Sequence, residues 1–142
     1  MNAGNKRPIR VLLAKFELES HDRGFFLVSR MLRDAGMEVL LSVFQDTLQV
    51  VNAALQEDVD VIGLSVLSGD THKVFLPEVA EHMKTRGMDD ILLIAGGRIL
   101  GDDIGLLLGK GVDMIFGPGS QQKEIVDYIK GNAAKKYRHE QT

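Results

Sequence analysis

Cysteine and tryptophan are absent from this sequence of 142 residues. Without cysteine the protein has no disulfides, no thiolate metal ligands and no cysteine nucleophile, as is typical of a reducing compartment. No apolar run approaches the roughly 18 residues that cross a membrane. The first ten residues, MNAGNKRPIR, lack the apolar centre of a signal peptide. We therefore expect a cytoplasmic protein with no membrane partner.

Excess positive charge is also lacking, because 17 Lys and Arg face 20 Asp and Glu, for a net charge of −3. This balance does not favour binding to the phosphate backbone, so we expect no nucleic-acid partner. With 44% hydrophobic residues the chain can bury the core of one compact domain. We assign residues 1–8 to an N-terminal extension, 9–131 to the domain and 132–142 to a polar C-terminal tail.

Five short apolar runs alternate with segments of helical periodicity. The runs span residues 9–14, 38–44, 59–67, 91–96 and 112–116, and continuous apolar runs are typical of strands covered on both faces. The helical stripes comprise Leu27, Val28, Met31, Leu32 and Ala35; Leu48, Val51 and Leu55; Leu76, Val79 and Met83; Ile104, Leu107 and Leu108; and Ile125, Val126 and Ile129. This alternation predicts an α/β fold, a flavodoxin-like (Rossmann-type) doubly wound sheet of five parallel strands in the order 2-1-3-4-5.

Glycine and serine are concentrated in the loops that follow the predicted strands, at residues 15–24, 65–70, 96–98 and 117–120. Ligands of such sheets bind beyond the carboxyl ends of the strands. Glycine there lets the backbone approach a ligand closely, which indicates a sizeable flat or phosphate-bearing ligand. Glycine is equally an ordinary residue of such turns, and the residues alone leave both interpretations open.

His21 lies in the first of these loops, with Glu19 and Lys15 before it. A metal-ligating histidine usually donates its other ring N–H to a carboxylate, a part that Glu19 could play, with Lys15 keeping Glu19 ionised. The residues alone favour the alternative, a surface histidine in an acidic turn. Since no second cluster has the spacing of a metal site, a single protein ligand makes sense only if a macrocycle supplies the others.

Two later loops carry hydroxyl groups. Ser65, at the end of the third strand, could bond a ligand nitrogen, or it could cap its own turn. In FGPGS we expect a rigid turn with Ser120 as the N-cap of the last helix. That helix N-terminus could face a phosphate, or it could simply begin a helix. His72 is expected as a polar residue in the first turn of the third helix, within reach of a ligand at this edge.

Three motifs, SHDRG, SVL and AGG, occur in this order at the predicted strand ends. They resemble the Asp-x-His-x-x-Gly, Ser-x-Leu and Gly-Gly signature of cobalamin-binding domains. The likeness extends from about Arg10 to Lys130 and is closest to the cobalamin domain of methylmalonyl-CoA mutase and the small subunits of related acyl-CoA mutases. It implies the cofactor adenosylcobalamin and an isomerase that rearranges carbon skeletons by radical chemistry. It also implies a separate large barrel subunit that binds the substrate, inactivity of this chain alone, and a GTPase chaperone of the mutase as a further partner.

The resemblance also implies roles for single residues. His21 matches the lower axial ligand of cobalt, Lys15 matches the lysine that supports the carboxylate partner of that histidine, and no catalytic residue falls in this chain. The nucleotide tail of the cofactor would lie among Ser65, Leu67, Gly96 and Gly97. The full set of implied cofactor-binding residues is Lys15, Glu19, Ser20, His21, Asp22, Arg23, Gly24, Ser65, Leu67, Gly69, Gly96, Gly97, Gly117, Pro118 and Gly119.

The sequence departs from the signature beside the histidine. Glu19 stands for the aspartate and Ser20 for a glycine, so the carboxylate is one methylene longer and the backbone less free.

Two alternatives stay open: a corrinoid protein that carries methyl groups, which usually has a helical cap before the domain, and a cobalamin carrier or sensor that is not catalytic. A phosphoryl receiver has the same fold, but here no acidic pair ends the first strand. The acyl-CoA substrate is not specified.

Overall fold

The computed structural model describes residues 7–17, 23–66, 71–117 and 119–141, and the side chains of Thr71 and of residues 134–141 fall outside that description. The strands are β1 Arg10–Phe16, β2 Glu38–Phe44, β3 Val61–Val66, β4 Leu92–Gly97 and β5 Met114–Phe116. The helices are α1 Arg23–Asp34, α2 Thr47–Gln56, α3 Thr71–Thr85, α4 Gly101–Leu108 and α5 Gln122–Gln141. Helix α5 thus continues through residues 132–141 of the polar tail.

The five strands form one sheet in the order β2-β1-β3-β4-β5, and every pair is parallel. The predicted fold class and strand order are confirmed. Strand β5 is shorter than the predicted run, and Asp113, directly before it, contacts β4 partly through its side chain. The amide of Leu93 donates to Asp113 Oδ2 over 2.8 Å, while the amide of Asp113 donates to the carbonyl of Leu93.

Alternation along the strands separates the core into two layers. On one face Leu12, Ile62 and Leu93 pack against apolar residues of α2, α3 and α4. On the other face Val11, Val61 and Leu92 pack against α1 and α5. Because each fully buried aliphatic side chain contributes about 1.5–3 kcal/mol, these layers hold the helices on both sides of the sheet.

Four leucines of the predicted helical stripes are exposed by 37–54%, namely Leu27, Leu48, Leu55 and Leu108. In α2 the buried side consists instead of Val50, Val51 and Ala54, so this helix is turned away from the leucine stripe. Within the described residues, no helix is both long and apolar enough to cross a membrane.

Candidate functional site

The strand register brings the predicted site residues to one level at the carboxyl edge of the sheet. Lys15 is paired with Ser65 across β1 and β3, and Ser65 with Gly96 across β3 and β4. Gly96 is in turn paired with Phe116, the last residue of β5. Parallel strands place these ends side by side, so loops that are distant in sequence meet at this edge.

A cavity of about 320 Å³ lies between this end of the sheet and helices α1 and α5. Of the predicted cofactor-binding residues, it is lined by Gly24, Ser65, Gly96, Gly97 and Gly117. Apolar side chains supply most of the remaining wall: Leu13, Phe25, Leu27, Val28, Met31, Ile94, Phe116 and Ile125. The volume is at the low end of the range for small-molecule sites, and the mostly apolar lining is typical of them.

Gly97 and Gly96 have different functions in this edge. Gly97 has a φ of +132°, and a Cβ at this position would lie 1.6 Å from the carbonyl oxygen of Val66. The close approach of β4 to β3 therefore requires this glycine whether or not a ligand is bound. At Gly96 a Cβ would lie 3.6 Å from the carbonyl oxygen of Phe116, an ordinary contact, so the missing side chain leaves open space beside the cavity.

Lys15 faces the first turn of α1. Its Nζ lies 5.9 Å from the centroid of the Phe25 ring, within the range of a cation–π contact. The hydrogen bonding between β1 and β2 extends beyond Lys15, because the amide of Glu17 donates to the carbonyl of Phe44 over 2.7 Å. The lysine ammonium is thus held beside the start of α1.

Seven of the predicted site residues lie outside the described residues: Glu19, Ser20, His21, Asp22, Leu67, Gly69 and Pro118. Their contacts with a cofactor, including ligation of cobalt by His21, stay predictions. Arg23 is the exposed first residue of α1, and Gly119 is exposed in the turn before α5. Neither residue lines the cavity.

The prediction that Ser120 caps the last helix is wrong. Helix α5 begins at Gln122, and the amide of Gln121 donates to Glu124 Oε1 over 3.3 Å. The amide of Ser120 instead donates to the carbonyl of Gly117 over 3.1 Å and so closes the turn before the helix. Ser120 consequently lines the mouth of the cavity.

Sequence reasoning missed a buried pair on the opposite face of the sheet. His72 is in the first turn of α3, as predicted, but it is only 2% exposed, and its Nε2 lies 3.1 Å from Asp103 Oδ2 in the first turn of α4. The pattern offered a signal, because His72 and Asp103 each stand four residues before a core leucine, Leu76 or Leu107. The pair joins the starts of two helices at the carboxyl edge.

The hydrogen bond from His72 holds the pKa of Asp103 below its ordinary value of 3.8, while burial acts in the opposite direction and the charge of nearby Lys73 adds to the lowering. An ionised carboxylate only accepts hydrogen bonds, so Nε2 carries the proton that it donates to Asp103. Lys73 Nζ lies 3.6 Å from the other carboxylate oxygen. His72 Nδ1 is buried and has no hydrogen-bond partner among the residues described.

The family model described as the B12 binding domain matches residues 9–127 of this chain. Among curated proteins, the chain is 43% identical over 131 residues to the 2-hydroxyisobutanoyl-CoA mutase small subunit of Aquincola tertiaricarbonis, covering 92% of this chain and 96% of the relative. It is 40% identical over 124 residues to the pivalyl-CoA mutase small subunit of Xanthobacter autotrophicus, covering 87% of this chain and 82% of the relative.

In larger relatives, a similar sequence forms only part of the chain. The methylmalonyl-CoA mutase of Escherichia coli is 37% identical over 125 residues, which cover 87% of this chain but 17% of that enzyme. Two solved structures show the fold at low identity. A cobalamin-binding protein from Desulfitobacterium hafniense has a TM-score of 0.72 at 19% identity, covering 87% of this chain and 58% of that one. A signal receiver domain from Vibrio parahaemolyticus has a TM-score of 0.72 at 13% identity, covering 95% of this chain and 96% of that one.

Gly97→Ala is expected to lower the free energy of unfolding by about 3 kcal/mol or more, because the methyl group overlaps the Val66 carbonyl in a backbone conformation that side chains rarely adopt. Urea unfolding followed by circular dichroism measures the change. Gly96→Ala is the matched control and should stay close to the wild type, since its methyl group makes an ordinary contact. Equal stability of both variants would contradict the assigned close approach.

Asp103→Asn should destabilise the protein at neutral pH and much less in acid. The folded-state pKa of Asp103 is lowered, so its stabilising contribution is present above the ordinary value of 3.8 and is lost as pH falls through the folded pKa. Urea unfolding measured from pH 7 down to about pH 2 tests this. The exposed neighbour Asp102 provides the control Asp102→Asn, which leaves the buried pair intact and should cost less stability at pH 7 than Asp103→Asn. A pH-independent effect of Asp103→Asn would argue against the pair.

Proposed function

The chain belongs to the B12 binding domain family, and on this basis we propose that it is the cobalamin-binding small subunit of an adenosylcobalamin-dependent acyl-CoA mutase. The observation that carries the proposal is the alignment with two separate small subunits, one of them matched over 96% of its length. In this function the chain contributes to an isomerase and is inactive without the subunit that binds the substrate.

The described residues fit the cofactor. The nucleotide tail of a corrinoid is a chain that ends in a flat aromatic base, and such a group needs a deep apolar slot at the carboxyl edge of the sheet. The cavity beside Ser65, Gly96 and Gly117 supplies a slot of about 320 Å³ with a mostly apolar lining. Ser65 and Gln122 offer polar groups to the sugar and phosphate, and the open space at Gly96 lets the tail pass close to the backbone.

His21 is the proposed lower axial ligand. Its loop joins the end of β1 to the start of α1, and both of these lie at the edge where the cavity opens. Lys15, held against Phe25, supplies the positive charge that keeps the proposed partner carboxylate of Glu19 ionised. When bound, adenosylcobalamin supplies the radical chemistry, and the residues of this chain place the cofactor and shield its tail from water.

A separate large subunit is the proposed partner. The methylmalonyl-CoA mutases contain the equivalent of this chain in under a fifth of their length, 17% in the enzyme of Escherichia coli. The remainder of such an enzyme has room for the acyl-CoA site, which in a two-subunit enzyme would belong to the other chain. The large subunit would dock over the carboxyl edge of the sheet, where the corrin ring is exposed. The GTPase chaperone and the cytoplasmic location stay predictions.

Ligation by His21 is tested with the cob(II)alamin form of the bound cofactor. In wild type labelled with nitrogen-15 histidine, electron paramagnetic resonance should show the splitting of an axial nitrogen-15 nucleus, whereas the cofactor's own lower base would give the splitting of nitrogen-14. The signal should be lost in His21→Ala, together with much of the affinity for the cofactor. His82→Ala is the matched control, because it removes a different histidine, in the last turn of α3. This variant should bind the cofactor like the wild type. A nitrogen-15 splitting that persists in labelled His21→Ala, or a nitrogen-14 splitting in the labelled wild type, would remove His21 from the cobalt.

Dependence on a partner is tested by turnover. The isolated chain loaded with adenosylcobalamin should isomerise no acyl-CoA, and addition of a matching large subunit should restore the reaction. Rapid isomerisation by the chain alone would refute the two-subunit proposal. Transfer of a methyl group from the reconstituted chain to an acceptor would favour the methyl carrier instead.

A further inference from the structure

Strand β2 forms one edge of the sheet, because among the described strands it pairs only with β1. Successive residues of a strand point their backbone N–H and C=O groups to opposite sides. The carbonyl of Phe44 accepts the amide of Glu17, just beyond β1, so the even-numbered residues of β2 bond toward β1. The odd-numbered residues Val39, Leu41 and Val43 therefore point their backbone groups away from the sheet.

The side chains along this edge are apolar and partly uncovered. Val39 packs in the core layer of α1 and α5, and the strand period places Leu41 and Val43 on the same face. Leu41 is nevertheless 40% exposed and Val43 57% exposed. Strand β2 has no proline, and none of its outward-pointing residues is charged, although these are the devices that usually keep an edge from pairing. An edge of this composition favours contact with another strand.

Helix α1 adds an aromatic side chain to the apolar edge. Phe26 and Arg33 are seven residues apart, so they lie on one side of the helix. Arg33 Nη2 donates to the carbonyl of Val39 over 3.2 Å, which shows that this side of α1 faces the outer edge of β2. Phe26 is 52% exposed there. Phe26, Leu41 and Val43 together are called the β2 patch below.

The backbone groups of this edge can pair with those of an identical edge. Arg33 already occupies the carbonyl of Val39, whereas the outward groups of Leu41 and Val43 bond to no described residue. With a second β2 antiparallel to the first and a two-fold axis at Ser42, Leu41 of each copy lies opposite Val43 of the other. Residues placed in this way exchange both of their N–H···O bonds. This register satisfies the open groups and leaves the contact of Arg33 in place.

The same register is favoured by charge. It places Val39 opposite Gln45 of the second copy, so the guanidinium on the Val39 carbonyl faces the turn that contains Asp46. Asp46 is exposed at the N-terminus of α2, where its Oδ1 accepts the amide of Gln49. The two-fold axis brings Arg33 of each copy toward Asp46 of the other, so the attraction between opposite charges occurs twice.

We propose that the outer edge of β2 and the β2 patch bind a second copy of this chain, joining two five-stranded sheets into one continuous sheet across an axis at Ser42. A surface that complements itself is what a two-fold dimer requires. The inference goes beyond the proposed function and does not depend on it. The carboxyl edge with its cavity lies at the strand ends and stays open in both copies.

Sedimentation velocity of the cofactor-free chain over a range of concentrations tests the surface. The wild type should show a monomer–dimer equilibrium, and Val43→Lys should raise its dissociation constant by about tenfold or more, because two ammonium groups would enter an apolar contact. Leu106→Lys is the matched control, since Leu106 is 52% exposed but lies on α4, on the other face of the sheet. This control should dimerise like the wild type.

A single introduced cysteine tests the register. The chain has no cysteine of its own, so Ser42→Cys can form a disulfide only between copies. The two Ser42 residues would be an antiparallel pair without mutual hydrogen bonds, with Cα atoms about 4.5 Å apart, a separation that a disulfide can bridge. Ser42→Cys should therefore become a covalent dimer in oxidised glutathione. Leu106→Cys, equally exposed to the oxidant, should stay largely monomeric.

Each contrary result overturns a stated part of the inference. A wild-type chain that stays monomeric at every concentration removes the second copy as the occupant. This holds also where Val43→Lys weakens assembly with a large subunit, because the edge would then belong to that subunit. A dimer that Val43→Lys leaves intact lies on another surface. Crosslinking of Ser42→Cys no faster than that of Leu106→Cys contradicts the axis at Ser42, and this measurement decides alone if circular dichroism shows that Val43→Lys does not fold.

Discussion

The close approach of β4 to β3 at Gly97 is the contact on which the candidate site depends. A side chain there would overlap the carbonyl of Val66, so this one position controls whether the ends of the two strands can lie side by side. Their approach sets Ser65 level with Gly96 and brings the open space beside Gly96 to the mouth of the cavity. A backbone requirement thereby creates a place for a ligand.

The two faces of the sheet differ in what lies between the strands and the helices. On the face of α2, α3 and α4, large aliphatic residues fill the layer, and the His72–Asp103 pair ties the starts of two helices together. On the face of α1 and α5, a cavity remains between these helices and the carboxyl end of the sheet, and Gly96 and Gly117 are among the residues that line it.

The fold by itself does not distinguish the functions that it can host. A receiver domain and a cobalamin-binding protein superimpose on this chain equally well, each with a TM-score of 0.72. What separates these classes is the chemistry at the strand ends, because ligands of open parallel sheets bind there. The family match and the relatives over nearly the whole chain agree with the apolar cavity at this edge.

The sequence by itself determined the strand order, the carboxyl edge as the place of the site, and the family. Apolar runs and helical spacing are local patterns, and the motifs are short stretches at the ends of those runs. Only the tertiary structure decided which side chains are buried and which spaces stay open. Leu27 and Leu48 follow the helical spacing yet are exposed, Ser120 closes a turn, and Asp103 meets a histidine 31 residues away. These outcomes depend on how helices turn against a shared sheet, and contacts between segments distant in sequence leave little trace in local spacing.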